Sequence, residues 1–286
     1  MVTKGRRARP SDQRPATYFD RPAAASADPF PLVSADLVAQ AEGTAPVPAA
    51  AAALAAAKRR QAPRLADQGD QARQGGKGAK EAAEAAKVLS RRYDAEGRTL
   101  LLAAGGGAGP VPNGSPANLQ AALAAVAGLM DAKEDVLLLY TTSHGAPKVG
   151  IVYKDGENGY GYIAPKNLAA TLNGLGIHNR MVLISACYSG IFIPDLVDDD
   201  TVLITAASPV TTSFGCAPAN DWTFFGDALI NNAFRAPAKL DEAMGQALSL
   251  IGGWERMRGL PASNPQFFVG ARARGWLTSL EARTPV

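Results

Sequence analysis

Three short apolar runs set the frame of this chain. Asp135 to Thr141 (DVLLLYT), Met181 to Ser185 (MVLIS) and Thr201 to Thr205 (TVLIT) are each of strand length and too uniformly apolar to alternate between a wet and a dry face. Such runs predict strands covered on both sides, as in a parallel sheet. Between and around them the apolar period lengthens to that of helices. Ser115 before Pro116 predicts a helix start, and Leu119, Leu123, Val126 and Met130 follow on one face. Pro165 opens a second helix with Leu168, Leu172 and Leu175, closing near Gly174 and Gly176. Asp221 to Phe234 and Lys239 to Trp254 read as two more, the latter with Leu240, Met244, Leu248 and Ile251 in line. Ala79 to Tyr93 predicts a helix with a thin stripe of Ala85, Val88, Leu89 and Tyr93. Thr99 to Ala103 predicts a short strand followed by a Gly/Pro-rich loop, Gly105 to Gly114, and Val149 to Tyr153 with Tyr160 to Ile163 predicts a hairpin outside the main sheet. Strands alternating with helices imply right-handed βαβ units and an open α/β sheet with helices on both sides.

Composition divides the chain before that pattern begins. Residues 1–78 are rich in Ala, Pro, Gln, Arg and Gly and predict a low-complexity, mostly disordered segment, leaving 79–286 as the folded domain. The basic cluster Lys58 to Arg60 reads as a solvated charge run. A net charge of +3 is too slight to argue for nucleic acid or an anionic membrane, so neither is expected as a partner. No apolar run reaches the length of a membrane-spanning helix, and the first residues show no secretory signal, so the default expectation is a cytoplasmic protein. Two cysteines make no disulfide framework, and Cys187 and Cys216 are expected to be reduced.

In an open α/β sheet, reactive groups collect beyond the carboxyl ends of the strands. Two runs end on such groups: DVLLLYT leads into Thr142-Ser143-His144-Gly145, and MVLIS leads into Ala186-Cys187-Tyr188-Ser189-Gly190. If the two strands lie side by side, the imidazole and the thiol can meet. A thiol is only a few per cent ionised at neutral pH and needs an adjacent base or cation, which His144 can be. Gly145 allows a sharp turn with its N–H free, so the Gly145 and Cys187 amides are candidates for an oxyanion hole. His before Cys in the chain excludes the α/β-hydrolase and papain orders. His178, in a polar connection before a strand, reads as an exposed loop residue, and two histidines without a cysteine cluster predict no zinc site.

A strand ending in Ser-His-Gly followed by one ending in Ser-Ala-Cys-Tyr-Ser-Gly resembles the legumain-type cysteine peptidases, in particular their bacterial branch. Downstream, Thr205-Ala206-Ala207-Ser208-Pro209, Thr212-Ser213-Phe214, Cys216 and Asp221-Trp222 are similar to the segment after the legumain nucleophile. The resemblance spans about Lys80 to Gly270. It implies a caspase-haemoglobinase-like three-layer αβα sandwich with a mostly parallel sheet, a His144/Cys187 dyad, acyl-enzyme chemistry on peptide or protein substrates, and no cofactor or metal. By position it also implies substrate-binding roles for Ser213 and Asp221. A turn hydroxyl and a helix N-terminal aspartate are the equal alternatives for those two. Ser185, likewise a substrate-binding candidate, stands where legumains usually carry a glutamate, and Tyr188 where they carry another acid. The expected activity is that of a cysteine endopeptidase. The alternative is a caspase-like domain that has lost catalysis and serves as a binding or scaffold module.

Overall fold

The three-dimensional structure is a computed structural model, and it describes residues 77–103, 112–154, 160–215 and 222–283. Nearly all of the segment expected to be disordered, most of the 105–114 loop, the turn of the hairpin, Cys216 and Asp221 lie outside the described residues.

Helix α1 (Lys77–Arg92) is followed by α2 (Pro116–Ala127), β1 (Leu137–Thr142), β2 (Gly145–Ala146), β3 (Gly150–Lys154), β4 (Tyr160–Ile163) and α3 (Pro165–Gly174). Then come β5 (Arg180–Ser185), β6 (Thr201–Thr205), α4 (Leu240–Met257), β7 (Gln266–Val269) and α5 (Ala273–Glu281). The main sheet has the order β1-β5-β6-β7. β1, β5 and β6 are parallel, and β7 joins β6 antiparallel. A second, antiparallel sheet of β2, β3 and β4 stands beside it, as the hairpin reading requires.

The uniform apolarity of the three runs has its cause in this arrangement. Alternate residues of β5 and β6 feed opposite faces of the sheet. Met181, Leu183, Val202 and Ile204 pack with α1, α4 and α5, whereas Val182, Ile184 and Leu203 pack with α2 and α3. β1 divides in the same way, Leu138 and Tyr140 to one side and Leu137 and Leu139 to the other. The result is a three-layer α/β sandwich.

The helix boundaries follow their local chemistry. The Ser115 hydroxyl accepts the Asn118 N–H at 3.3 Å with Pro116 in the first turn. Glu242 accepts the Lys239 N–H at 3.2 Å at the start of α4. Where one helix over Asp221 to Phe234 is expected, the chain instead turns through α (Phe224–Gly226), π (Asp227–Asn232) and 3-10 (Ala233–Arg235) geometry. It begins at Thr223, whose hydroxyl accepts the Gly226 N–H at 2.8 Å. The Asn232 side chain donates to the Asp227 carbonyl at 2.8 Å, a bond that accompanies the widened turn.

Thr99 to Ala103 is not a strand. A strand needs a partner about 4.8 Å away, and the bond formed here is local, from the Ala103 N–H to the Pro112 carbonyl at 2.9 Å. Leu100, Leu101 and Leu102 instead border a cavity of about 990 Å³ that runs along the edge of β1 left unpaired among the described residues and reaches His144. Sequence periodicity also leaves out β7 and α5. β7 is four residues long, and α5 opens on Ala273 and Arg274 with only Ala273 and Leu277 buried.

Candidate active site

The register of β1 against β5 sets the two candidate residues at adjacent strand ends. Thr142 pairs with Ser185, and His144 and Cys187 each stand two residues further on. The pairing extends one step past the strands, because the Ser143 N–H donates to the Ser185 carbonyl at 3.1 Å. His144 therefore leaves one strand end and Cys187 its immediate neighbour.

Gly145 sets how closely the two loops approach. A Cβ at this position would lie 1.8 Å from the Cys187 carbonyl oxygen and 3.1 Å from its nitrogen, so only a glycine lets the backbone after His144 lie against that of Cys187. The Val152 N–H donates to the His144 carbonyl at 2.8 Å. That bond makes Gly145 and Ile151, which face each other across β2 and β3, a non-hydrogen-bonded pair and leaves the Gly145 amide unused by this ladder. Ser143 is held in turn by its hydroxyl, which donates to the Val152 carbonyl. His144 itself is exposed.

Cys187 is half-buried, and its sulfur lies 3.4 Å from the carbonyl oxygen and 3.7 Å from the hydroxyl of Ser213. The next residue, Tyr188, has φ 57° and ψ 16°, the left-handed region that side chains other than glycine seldom adopt. The strand thus breaks sharply after the thiol, and its surroundings hold the strained turn in place. The Tyr188 N–H donates to the Thr211 carbonyl and the Gly190 N–H to the Ala207 carbonyl, both at 2.9 Å. Gly190 is packed so tightly on Pro209 that a Cβ would come within 2.5 Å of its ring. Backbone strain that is over-determined by neighbours concentrates at functional sites.

Ser185, 1% exposed, faces inward rather than into the open site. Its hydroxyl donates to the Glu81 carboxylate at 3.2 Å and lies 3.1 Å from the Thr223 hydroxyl. Glu81, in the first turns of α1, is only 2% exposed. It accepts from the Tyr140 hydroxyl at 2.6 Å, the Thr223 N–H at 2.9 Å and the Thr223 hydroxyl at 3.1 Å. Burial, with the Glu81 charge beside it, pushes the Tyr140 hydroxyl well above its ordinary range, so Tyr140 remains a proton donor. Sequence reasoning passes over Glu81. The available signal is its place four residues before Ala85, on the face α1 buries, where an acid has no business unless it is satisfied.

The structure therefore sets the Gly145 backbone and Ser213 against Cys187, has His144 exposed one residue before that contact, and turns Ser185 inward, while Asp221 lies outside the described residues. His178 is exposed at the start of β5, at the opposite end of that strand from Cys187. Among the described residues no cluster of His, Cys, Asp or Glu is arranged to hold a metal ion, and no helix is long and apolar enough to cross a membrane.

A thiol and an imidazole at adjacent strand ends, with a glycine amide beside them, can perform nucleophilic acyl transfer. Comparison with known proteins agrees in chemistry. A search of curated proteins finds no match. The model of the Peptidase C13 family, however, matches residues 116–263, a little over half of the chain and a span containing both strand ends. The chain belongs to the Peptidase C13 family, the legumain family of cysteine peptidases with a caspase-like fold.

Proposed function

We propose that the protein is an endopeptidase in which Cys187 is the nucleophile and His144 its acid and base. The observation that carries this reading is the equal offset of the two residues past a directly paired Thr142 and Ser185, closed by the backbone contact at Gly145. In the first step the Cys187 sulfur attacks the scissile carbonyl carbon, and the Gly145 and Cys187 amides hold the resulting oxyanion. The His144 imidazolium gives its proton to the leaving amine as the C–N bond breaks, which leaves a thioester. Neutral His144 then takes a proton from water, whose oxygen attacks the thioester, and the returning sulfur regains its starting form. Ser213, against the sulfur, with Ser185 beneath and Asp221 in the same connection, shapes the pocket for the substrate residue before the cleaved bond.

The decisive test is alkylation with iodoacetamide near neutral pH, read cysteine by cysteine by peptide mass mapping. Cys187 is expected to label preferentially, and His144→Ala to abolish the preference. On any peptide that the wild type cleaves, Cys187→Ser should lower kcat by about 10³-fold or more. Equal, slow labelling of Cys187 and Cys216 would instead identify a non-catalytic binding module.

A further inference from the structure

Glu81 is a buried carboxylate that the chemistry above does not use. Its partners are neutral: the hydroxyls of Tyr140, Ser185 and Thr223 and one backbone N–H. Among the described residues no cation pairs with it. It is also locked in place, since a Cβ on Gly226 would lie 2.5 Å from the carboxyl carbon. An uncompensated negative charge in the interior is costly, and a merely structural link between helix and sheet could be made by neutral groups.

What distinguishes this carboxylate is what its partners lead to. Tyr140 lies on β1, four residues before His144. Ser185 ends β5, two residues before Cys187. Thr223 caps the segment that returns to the site, where the Phe224 N–H donates to the Phe214 carbonyl at 2.9 Å, next to the Ser213 that touches the sulfur. One side chain from α1 thus ties together the three segments that carry the site. α1 lies outside the span 116–263 that the family model matches.

We propose that Glu81 is a positioning residue for Cys187 and His144: it holds the two strand ends together and, through its fixed charge, sets the pH window in which the thiol ionises. The inference rests on the dyad reading above. A negative charge beneath the site opposes formation of the Cys187 thiolate. Asp94, Arg98, Glu134, Asp135 and Arg283 also line the cavity that Glu81 and His144 border. On α1, Lys80 and Glu84 flank Glu81. β1 presents Tyr140, β5 presents Ser185, and the segment after Trp222 presents Thr223. Tyr153 borders the cavity with His144, and Tyr188 follows the thiol. Tyr140 stays protonated throughout.

The test is the pH dependence of Cys187 alkylation by iodoacetamide in the full chain. Glu81→Gln keeps the shape and removes the charge. It is expected to move the midpoint to lower pH, by about one unit, the size of a Coulomb interaction across about 10 Å at an effective dielectric constant near 20, and to lower the plateau rate. If a cleavable peptide is in hand, the acidic limb of the kcat/KM profile should move the same way. Should Glu81→Gln fail to fold, Tyr140→Lys brings an ammonium to the phenol's place and neutralises the carboxylate there; the same acidward shift is expected. A lowered plateau with an unmoved midpoint in a folded variant shows a purely structural link and overturns the proposal. If wild-type Cys187 labels no faster than Cys216, the dyad reading fails first and takes this inference with it.

Discussion

At Gly145 the absence of one carbon atom decides whether two loops can meet. Its neighbours are backbone atoms of Cys187, which cannot swing aside as the tip of a flexible side chain can. Gly145→Ala is therefore expected to push the His144 loop off Cys187. The predicted outcome is loss of the preferential Cys187 labelling and a fall in kcat/KM of about 10²-fold or more, the scale for a misplacement near 1 Å. Far-UV circular dichroism should stay native, because the clash lies beyond the strand ends. Labelling retained at the wild-type rate would show that the loops need not touch. Gly145 is legible in the sequence as a turn-permissive residue, but the demand for it comes from a carbonyl 42 positions away in the chain, and no local pattern records that.

Among the elements, α1 carries the largest surplus over its sequence reading. Its apolar stripe of Ala85, Val88, Leu89 and Tyr93 is thin, and charged residues complete the buried face at both ends, Glu81 toward the site and Arg92 away from it. Arg92 is 4% exposed. Its guanidinium donates to the carbonyls of Phe234, Ala236 and Ala238, where the irregular helical stretch ends, and lies 4.7 Å from the centre of the Phe234 ring. A planar fork with several donors suits three carbonyls and an aromatic face, and an ammonium does not. Arg92→Lys is expected to destabilise the fold by about 2 kcal/mol, seen as a lower urea midpoint with an unchanged m-value. A midpoint equal to wild type would show the carbonyls to be as well served by water. Helix α1 was predictable as a helix from its period, but the roles of its two buried charges were not, since each is set by partners that only the packed sheet brings near.

For the whole molecule, the carboxylates with altered affinity for protons set the response to acid. The Arg272 guanidinium beside Asp200 holds that carboxyl below its ordinary range, and Asp199 and Arg272 extend the pairing at the surface. Glu84 is also lowered: partial burial alone would raise it, but Arg235 and Lys87 outweigh that. A carboxyl whose folded-state pKa is depressed contributes stability above its unfolded value, near 4, and loses that contribution as pH falls through the folded value. Melting temperature should accordingly be nearly level from pH 7 to about pH 5 and decline below about pH 4. Arg272→Ala should shallow that decline, by little, because the pair is exposed and screened. A decline no shallower than wild type in Arg272→Ala would remove Asp200 from the explanation.

The chain alone determined the kind of sheet, because a strand covered on both faces must be apolar at every position, and three such runs interleaved with helical periods admit little else. It also determined which residues could react and on which side of the sheet they would lie, since both leave the carboxyl ends of buried strands. The tertiary structure decided what depends on partners distant in the chain. It made β1 and β5 direct neighbours in matching register, gave Thr99 to Ala103 no partner strand among the described residues, and turned Ser185 inward onto a carboxylate arriving from α1. Periodicity reports which face of an element is dry. It does not report what stands across from that face, and at this site the opposite side holds Glu81.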